Sequence, residues 1–338
     1  MSKLDNKKIP KKILNNVKDL INKSKWPECI LLVNDLLNEY PRSHELHTSK
    51  GICFSFLRKF DQAKDCLDAA KEFGCNEVEY KANIAELNST IGNYHFNRDE
   101  FEESLESFLK SLDGSRNPSM HLSNIGNVLL KLGRREEAND YYMKSIKSDS
   151  KNATAYCNLA NSLIETKEFE LALKPAENCA KLDDIQPFYI ITLGRVLSGL
   201  KRHDDALKVF NKLKMIAPKA PTSYYFICST LLKLKKYREI IDLLSSVTDL
   251  IKNHANLLNI LGIAYLEINE VDKSIDNFNA AKIADPSYSD SYLNLSKAYK
   301  EKGNHKESQI EYDKYQRNMK WYENIIWKKN ERIKGIIF

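Results

Sequence analysis

A single internal period constrains this chain more than any other feature. The segments SNIGNVLLKLGRREEANDYYMKSI from Ser123, NLANSLIETKEFELALKPAENCA from Asn158 and NILGIAYLEINEVDKSIDNFNAA from Asn259 align position for position. Each has an apolar residue followed by Gly or Ala, a further apolar residue three on, and a small residue nine after that. Repeat starts at residues 10, 44, 85, 119, 153, 187, 221, 255 and 289 are 34 apart, except that 44 to 85 is 41 and carries seven extra residues. Apolar residues within each unit recur at helical spacing. A unit this short cannot bury its own apolar stripe, so neighbours must stack into a continuous core. With only 11 Gly and 9 Pro in 338 residues, there is little material for phosphate loops or many-stranded sheets.

Numbered within the unit, position 8 reads Val17, Gly51, Gly92, Gly126, Ala160, Gly194, Cys228, Gly262 and Ser296. Position 20 reads Cys29, Ala63, Ser104, Ala138, Ala172, Ala206, Ile240, Ser274 and Ser308. Aromatics recur at position 24 (Phe108, Tyr142, Phe210, Phe278, Tyr312) and proline at position 32 (Pro41, Pro218, Pro286). This pattern resembles the tetratricopeptide repeat (TPR), in nine units over residues 10–322. The resemblance implies an all-α fold, a right-handed superhelical α-solenoid of helix-turn-helix units. Positions 8 and 20 then lie where helices A and B cross closely, where large side chains would force them apart.

Departures from the pattern carry expectations. Cys228 with Ile240 and Val17 with Cys29 should splay their helix pairs, and Pro175, inside a B helix, removes a hydrogen bond and should kink it. The extra residues VEYKANI (78–84) contain neither Gly nor Pro, so they predict a helix A lengthened to 77–96.

No constellation points to catalysis, cofactor binding or a metal. GRVLSGLK from Gly194 lacks the Gly-Lys-Ser/Thr ending of a phosphate loop. His44 and His47 stand three apart with no third ligand nearby in sequence. His95 and His203 occupy framework positions, where core packing is expected, and Cys29, Cys179 and Cys228 replace small packing residues. The seven cysteines form no C-x-x-C pair and read as reduced, buried residues.

The TPR resemblance further implies that A helices line a concave face, reached by positions 2, 5, 6, 9, 12 and 13. Repeats 3 to 5 place Ser89, Thr90, Asn93, Ser123, Asn124, Asn127, Asn158 and Asn161 there; repeats 6 to 8 place Phe188, Ile191, Tyr225, Phe226, Ile260 and Ile263. An asparagine amide offers a donor and an acceptor, which suits the backbone of an extended peptide. Asn124, Asn158 and Asn294 at position 6 are similar to the asparagine ladder of O-linked N-acetylglucosamine transferases, interrupted here by Thr90, Thr192, Phe226 and Ile260. Asn127, Asn158 and Arg195 match half of the dicarboxylate clamp of chaperone-binding TPR domains, whose lysines are replaced by Ser123 and Ile191. The candidate peptide-binding residues are therefore Asn93, Asn124, Asn127, Asn158, Asn161, Arg195, Tyr225, Phe226 and Asn294.

The net charge of +6 resides at the ends: residues 1–25 carry +6 and 314–338 carry +5, so the body carries −5. That distribution argues against a cationic groove for nucleic acid. Residues 1–9 read as a basic tail. Residues 323–338 read as a capping helix or tail, with a connection to a further domain, a membrane-surface helix or a dimer contact as alternatives. No apolar run is long enough to span a bilayer and no secretory leader is evident, so a cytoplasmic location is expected. The expected function is a non-enzymatic scaffold binding an extended protein segment in its concave groove. The alternative is the substrate-docking module of a glycosyltransferase, sulfotransferase or dioxygenase, as the resemblance suggests for bacterial proteins with long TPR arrays.

Overall fold

The computed structural model describes residues 9–334, with side chains through residue 320. Nineteen helices and no strand occur among the described residues. None of these helices is long and apolar enough to cross a membrane. The chain divides into two compact units, Met1–Leu182 and Asp183–Phe338.

In the first unit, α1 (Lys11–Asn22), α3 (His44–Phe56), α5 (Glu77–Phe96), α7 (Pro118–Lys131) and α9 (Ala153–Glu165) are A helices. They alternate with the B helices α2 (Trp26–Glu39), α4 (Phe60–Glu72), α6 (Phe101–Lys110), α8 (Arg135–Ser148) and α10 (Phe169–Leu182). The second unit has A helices α11 (Pro187–Gly199), α13 (Pro221–Lys233), α16 (Ala255–Glu267) and α18 (Ser289–Glu301). Its B helices are α12 (His203–Ile216), α14 (Tyr237–Ser245), α17 (Val271–Ala284) and α19 (His305–Lys334), with one helical turn, α15 (Thr248–Ile251), after α14.

Local chemistry starts the A helices. Ser43, Asn76, Asn117 and Asn152 cap α3, α5, α7 and α9 by accepting a hydrogen bond from the amide three residues on. In the second unit Pro187 and Pro221 stand at the first position of α11 and α13, where the missing N–H costs nothing. The expected long helix is present: α5 is one 20-residue helix over 77–96. Its extra turns dock on α4, where the Tyr80 hydroxyl donates to Asp68 Oδ1 at 2.7 Å and Lys71 pairs with Glu77 at 3.1 Å. α10 continues through Pro175. α14 is cut to nine residues, a shortening the framework residues did not foreshadow.

Every A-to-B turn places its fifteenth repeat position in left-handed backbone. The residues are Ser24, Arg58, Asp99, Gly133, Lys167, Lys201, Lys235, Asn269 and Gly303, with φ between 56° and 83°. Only two of the nine are glycine, although a side chain with a Cβ is strained there. Lys201→Gly, and separately Lys235→Gly, is therefore expected to raise stability by about 0.5–1 kcal/mol, the relieved strain exceeding glycine's extra unfolded-state entropy. Denaturant midpoints at constant slope would measure this, and an unchanged or lowered midpoint would contradict it.

The core rests on a reciprocal size rule between positions 8 and 24. A Cβ built on Gly92, Gly126 or Gly262 would lie 2.9, 2.5 or 2.5 Å from the ring of Phe108, Tyr142 or Phe278, and one on Gly194 would collide with Phe210. Each glycine thus lets an aromatic ring approach the helix A backbone closely. Where position 8 gains a side chain, position 24 is not aromatic in three cases: Val17 with Val33, Ala160 with Ala176, and Cys228 with Leu244, all fully buried. At position 20, Ser104 and Ser308 donate to the position-8 carbonyls of Gly92 and Ser296, both at 2.8 Å. These hydroxyls give the crossing a hydrogen bond as well as a small volume.

The last B helix, α19, runs unbroken to Lys334, so the segment from 323 begins as a continuation of it. Residues 321–334 lie outside the described side chains, and the basic tail 1–8 and residues 335–338 outside the described residues.

Candidate functional site

In the first unit the candidate asparagines fall on successive A helices, and the structure separates their roles. Asn93 is exposed and its amide donates to the Ser89 carbonyl at 3.0 Å, one turn back on α5. Asn161 likewise donates to the Cys157 carbonyl at 2.9 Å. Asn127 and Asn158 meet across the α7–α9 stack. Asn127 Oδ1 accepts from the Tyr142 hydroxyl at 2.7 Å and from Asn158 Nδ2 at 2.9 Å.

That arrangement orients both amides. It uses the acceptor of Asn127 and the donor of Asn158, leaving Asn127 Nδ2 and Asn158 Oδ1 without a hydrogen-bond partner among the described residues. Neither atom is among the buried polar atoms lacking a partner, so both remain open to water. Asn124, half-buried one turn before Asn127, makes no side-chain hydrogen bond among the described residues. The site thus presents a fixed donor, a fixed acceptor and a complete amide within two helices.

Two neighbours expected on this face are elsewhere. Ser89 and Ser123 are 4% exposed. Ser123 belongs to a buried polar cluster in which Ser145 Oγ lies 2.9 Å from Ser119 Oγ and 2.8 Å from Ser123 Oγ. The Asn152 amide donates to Ser119 Oγ at 2.8 Å, and since Asn152 also caps α9, the cluster ties the start of α9 to α7. Such a cluster needs every member satisfied, so it specifies how the repeats seat on one another.

Toward the start of the same unit, a cavity of about 190 Å³ opens between α3 and α5. Ile52, Phe56, Leu67 and Leu87 form its apolar wall, with Thr90, Asn83 and Glu86 beside them. The Asn83 amide nitrogen is buried without a hydrogen-bond partner. Phe56, half-exposed, is held flat against Trp26 with ring centroids 4.3 Å apart. Sequence reading missed this pocket because Asn83 comes from the inserted stretch, outside the repeat alignment, although Glu86 holds position 2 of repeat 3.

In the second unit, Phe188 is 53% exposed on α11, while Tyr225 and Phe226 are half-buried on α13. Phe226 stacks on Phe210 at 4.9 Å and meets the Tyr225 ring edge-on at 5.4 Å. Arg195 is exposed and engaged within the protein. The Asn294 amide donates to Asn259 Oδ1 at 3.1 Å, an inter-repeat amide pair similar to Asn127–Asn158. Ile260, expected in the groove, is buried at 5% exposure, whereas Ile263 is half-buried.

The other sequence candidates find structural partners. His47 Nε2 lies 3.0 Å from the Pro41 carbonyl. His95, expected in the core, is instead part-exposed and 2.7 Å from the Glu100 carboxylate, which also binds Arg98 at 2.8 Å. Those partners hold the Glu100 carboxyl below its ordinary range, Arg98 foremost. His203 is half-buried, with Nδ1 shielded and unpartnered. All seven cysteines are free thiols, and six are buried. Hydrogen bonding to a neighbouring thiol, with burial added, raises Cys53 beside Cys29 and Cys179 beside Cys157 far above the ordinary thiol range. Such thiols are poor nucleophiles.

Comparison with known proteins agrees with the fold. The tetratricopeptide repeat profile matches residues 122–152 and 289–317. Anaphase-promoting complex subunit 3 of Schizosaccharomyces pombe is 24% identical over 205 residues, covering 61% of this chain and 30% of that protein. A TPR repeat-containing protein of Methanocaldococcus jannaschii is 24% identical over 279 residues, covering 76% of this chain and 47% of that protein. The chain therefore spans between about a third and a half of these relatives' length. Among solved structures, the C-terminal part of a TPR repeat-containing protein from Cytophaga hutchinsonii superposes with a TM-score of 0.52 at 14% identity, covering 83% of this chain and 99% of that one. The 34-residue helix-pair period, the position 8 to 24 packing, the profile matches and the relatives together support a tetratricopeptide repeat protein.

Proposed function

We propose that this chain is a non-enzymatic scaffold that holds an extended segment of a partner protein against the A helices of its first unit. TPR proteins are in general protein-interaction scaffolds, and the name of the fission yeast relative places that protein in a multi-subunit complex. The observation that carries the reading is the oriented amide pair: Tyr142 and Asn158 fix Asn127, leaving one donor and one acceptor open to water. A peptide backbone offers the complementary acceptor and donor in every residue, so such a pair holds main chain without demanding a particular side chain. The 190 Å³ cavity beside α3 is large enough for one apolar side chain, which would supply the sequence preference. In the second unit, Phe188, Tyr225 and Phe226 offer a separate apolar stretch.

Peptides selected from a random library on the purified chain test this reading. Asn124→Ala with Asn158→Ala is expected to weaken their binding by about 10- to 100-fold, the loss of two hydrogen-bonding amides at about 1 kcal/mol or slightly more each. Hydrogen-exchange protection by the bound peptide is expected on α7 and α9. Unchanged affinity in a double variant that melts normally, or protection confined to B helices, would overturn the reading.

A further inference from the structure

The seven-residue insertion does more than lengthen α5: it completes a set of three metal-ligating side chains from three elements. His44 is the first residue of α3, Cys75 lies in the link between α4 and α5, and Glu79 is in the first turn of α5. One ring nitrogen of His44, the Cys75 sulfur and one carboxylate oxygen of Glu79 all lie within 4.8 Å of one another. We propose that His44, Cys75 and Glu79 form a zinc site on this unit, open at its fourth position to water. Ligand distances of about 2.0–2.3 Å around tetrahedral zinc put donor atoms roughly 3.3–3.8 Å apart. Closing the set onto the ion therefore takes about 1 Å of side-chain movement at half-exposed His44 and Glu79.

Further observations concern the same residues. His44 Nδ1 is buried and has no hydrogen-bond partner, a costly state for an imidazole nitrogen that a metal would relieve. The other ring nitrogen, Nε2, lies 3.6 Å from the Glu45 carboxylate, the outer partner that commonly orients a metal-binding imidazole. The Thr48 hydroxyl, in a side chain 92% buried, also lacks a conventional hydrogen-bond partner and sits beside the Cys75 sulfur. His47 takes no part, being held by the Pro41 carbonyl.

The donor set selects the metal. A thiolate, an imidazole and a carboxylate together suit zinc, whereas calcium and magnesium take oxygen. A thiolate and a carboxylate balance the two charges of the ion, so the loaded site is neutral. Burial, with the Glu79 carboxylate adding to it, keeps the Cys75 thiol above its ordinary range, against the opposing influence of Thr48 and Arg116. An ordinary cysteine thiol carries its proton until a metal binds. Binding forms the zinc–sulfur bond, breaks the S–H bond and passes the proton to solvent.

Titrating the metal-free full chain with cobalt(II), then displacing it with zinc against a chromophoric chelator, tests the proposal. One cobalt per chain is expected, with a thiolate-to-metal charge-transfer band that zinc abolishes. Cys75→Ser is expected to remove the band, and His44→Gln and Glu79→Gln each to weaken zinc binding by about tenfold or more. His47→Gln and Cys66→Ser should leave it unchanged. In the unaltered protein, zinc should slow alkylation of Cys75 selectively, a readout that needs no variant to fold. Absence of a stoichiometric band, a band that survives Cys75→Ser, or zinc that leaves Cys75 alkylation unchanged would each overturn the assignment.

Discussion

Gly262→Leu is expected to destabilise the second unit by about 3 kcal/mol or more, a loss out of proportion to one added side chain. The first added carbon would sit 2.5 Å from the Phe278 ring, itself fully buried. Glycine in the middle of a helix ordinarily costs about 1 kcal/mol relative to alanine, so a contact-free site would gain from the change. Here the contact decides the sign, because the ring must move about 1 Å into a packed core. Phe278→Ala alone is expected to cost about 3–5 kcal/mol, by emptying the same space from the other side.

The informative variant combines the two as Gly262→Ala with Phe278→Ala. This recreates the pairing that Ala160 and Ala176 already make in the first unit, where both are fully buried. The double variant should lose about 1–3 kcal/mol less than the sum of Gly262→Ala and Phe278→Ala. Denaturant unfolding followed by probes placed in the second unit would measure it, since repeat arrays need not unfold in one step. Strict additivity would mean that positions 8 and 24 do not act as a pair.

What could be read from the residues follows a physical divide. The period was legible because each unit must solve the same close crossing, so Gly and Ala recur where helix backbones approach. The 77–96 helix was legible because a stretch without Gly or Pro beside a helix has no local reason to stop. The left-handed turn was legible from Gly133 and Gly303; of the seven other residues that take that conformation, Asp99 and Asn269 are types that tolerate it and five carry no sign in their identity. In the sequence Asn127 and Asn158 read as groove amides for a peptide, but Tyr142 and their own pairing occupy half of each. No local pattern announced this, because the partners are 15 and 31 residues apart. The same holds for Ser123, drawn into a cluster with Ser145 and Asn152, and for His44 with Cys75 and Glu79. Metal-ligand spacing rules look for short loops, and here the stacking of repeats sets the distance instead.

Lys282→Ala is expected to cost about 2–3 kcal/mol and to loosen the start of α19. Glu311 on α19 is only 7% exposed, and Lys282 from α17 reaches both of its carboxylate oxygens at 3.1 Å. Lys314, one turn on, binds the same carboxylate at 2.7 Å, and the Lys282 ammonium lies 5.3 Å from the centre of the Tyr292 ring on α18. Exposed ion pairs in this protein, such as Lys23 with Asp19, are screened by water and contribute little. The Lys282–Glu311 pair differs because its carboxylate is shielded on every side, so removing one lysine leaves a charge that water reaches poorly. Lys314 still holds it, which is why the expected loss falls below the 3–5 kcal/mol typical of breaking a buried pair outright. Amide exchange in α19 from His305 onward should speed up by about 10- to 100-fold, while α16 and α17 change less. Replacing both partners, as Lys282→Met with Glu311→Leu, should restore most of the stability, since well-packed apolar groups escape the cost of desolvating charge. If that double variant is less stable than Lys282→Ala alone, the pair is stabilising in itself, and α19 is held by charge and not by the packing around it.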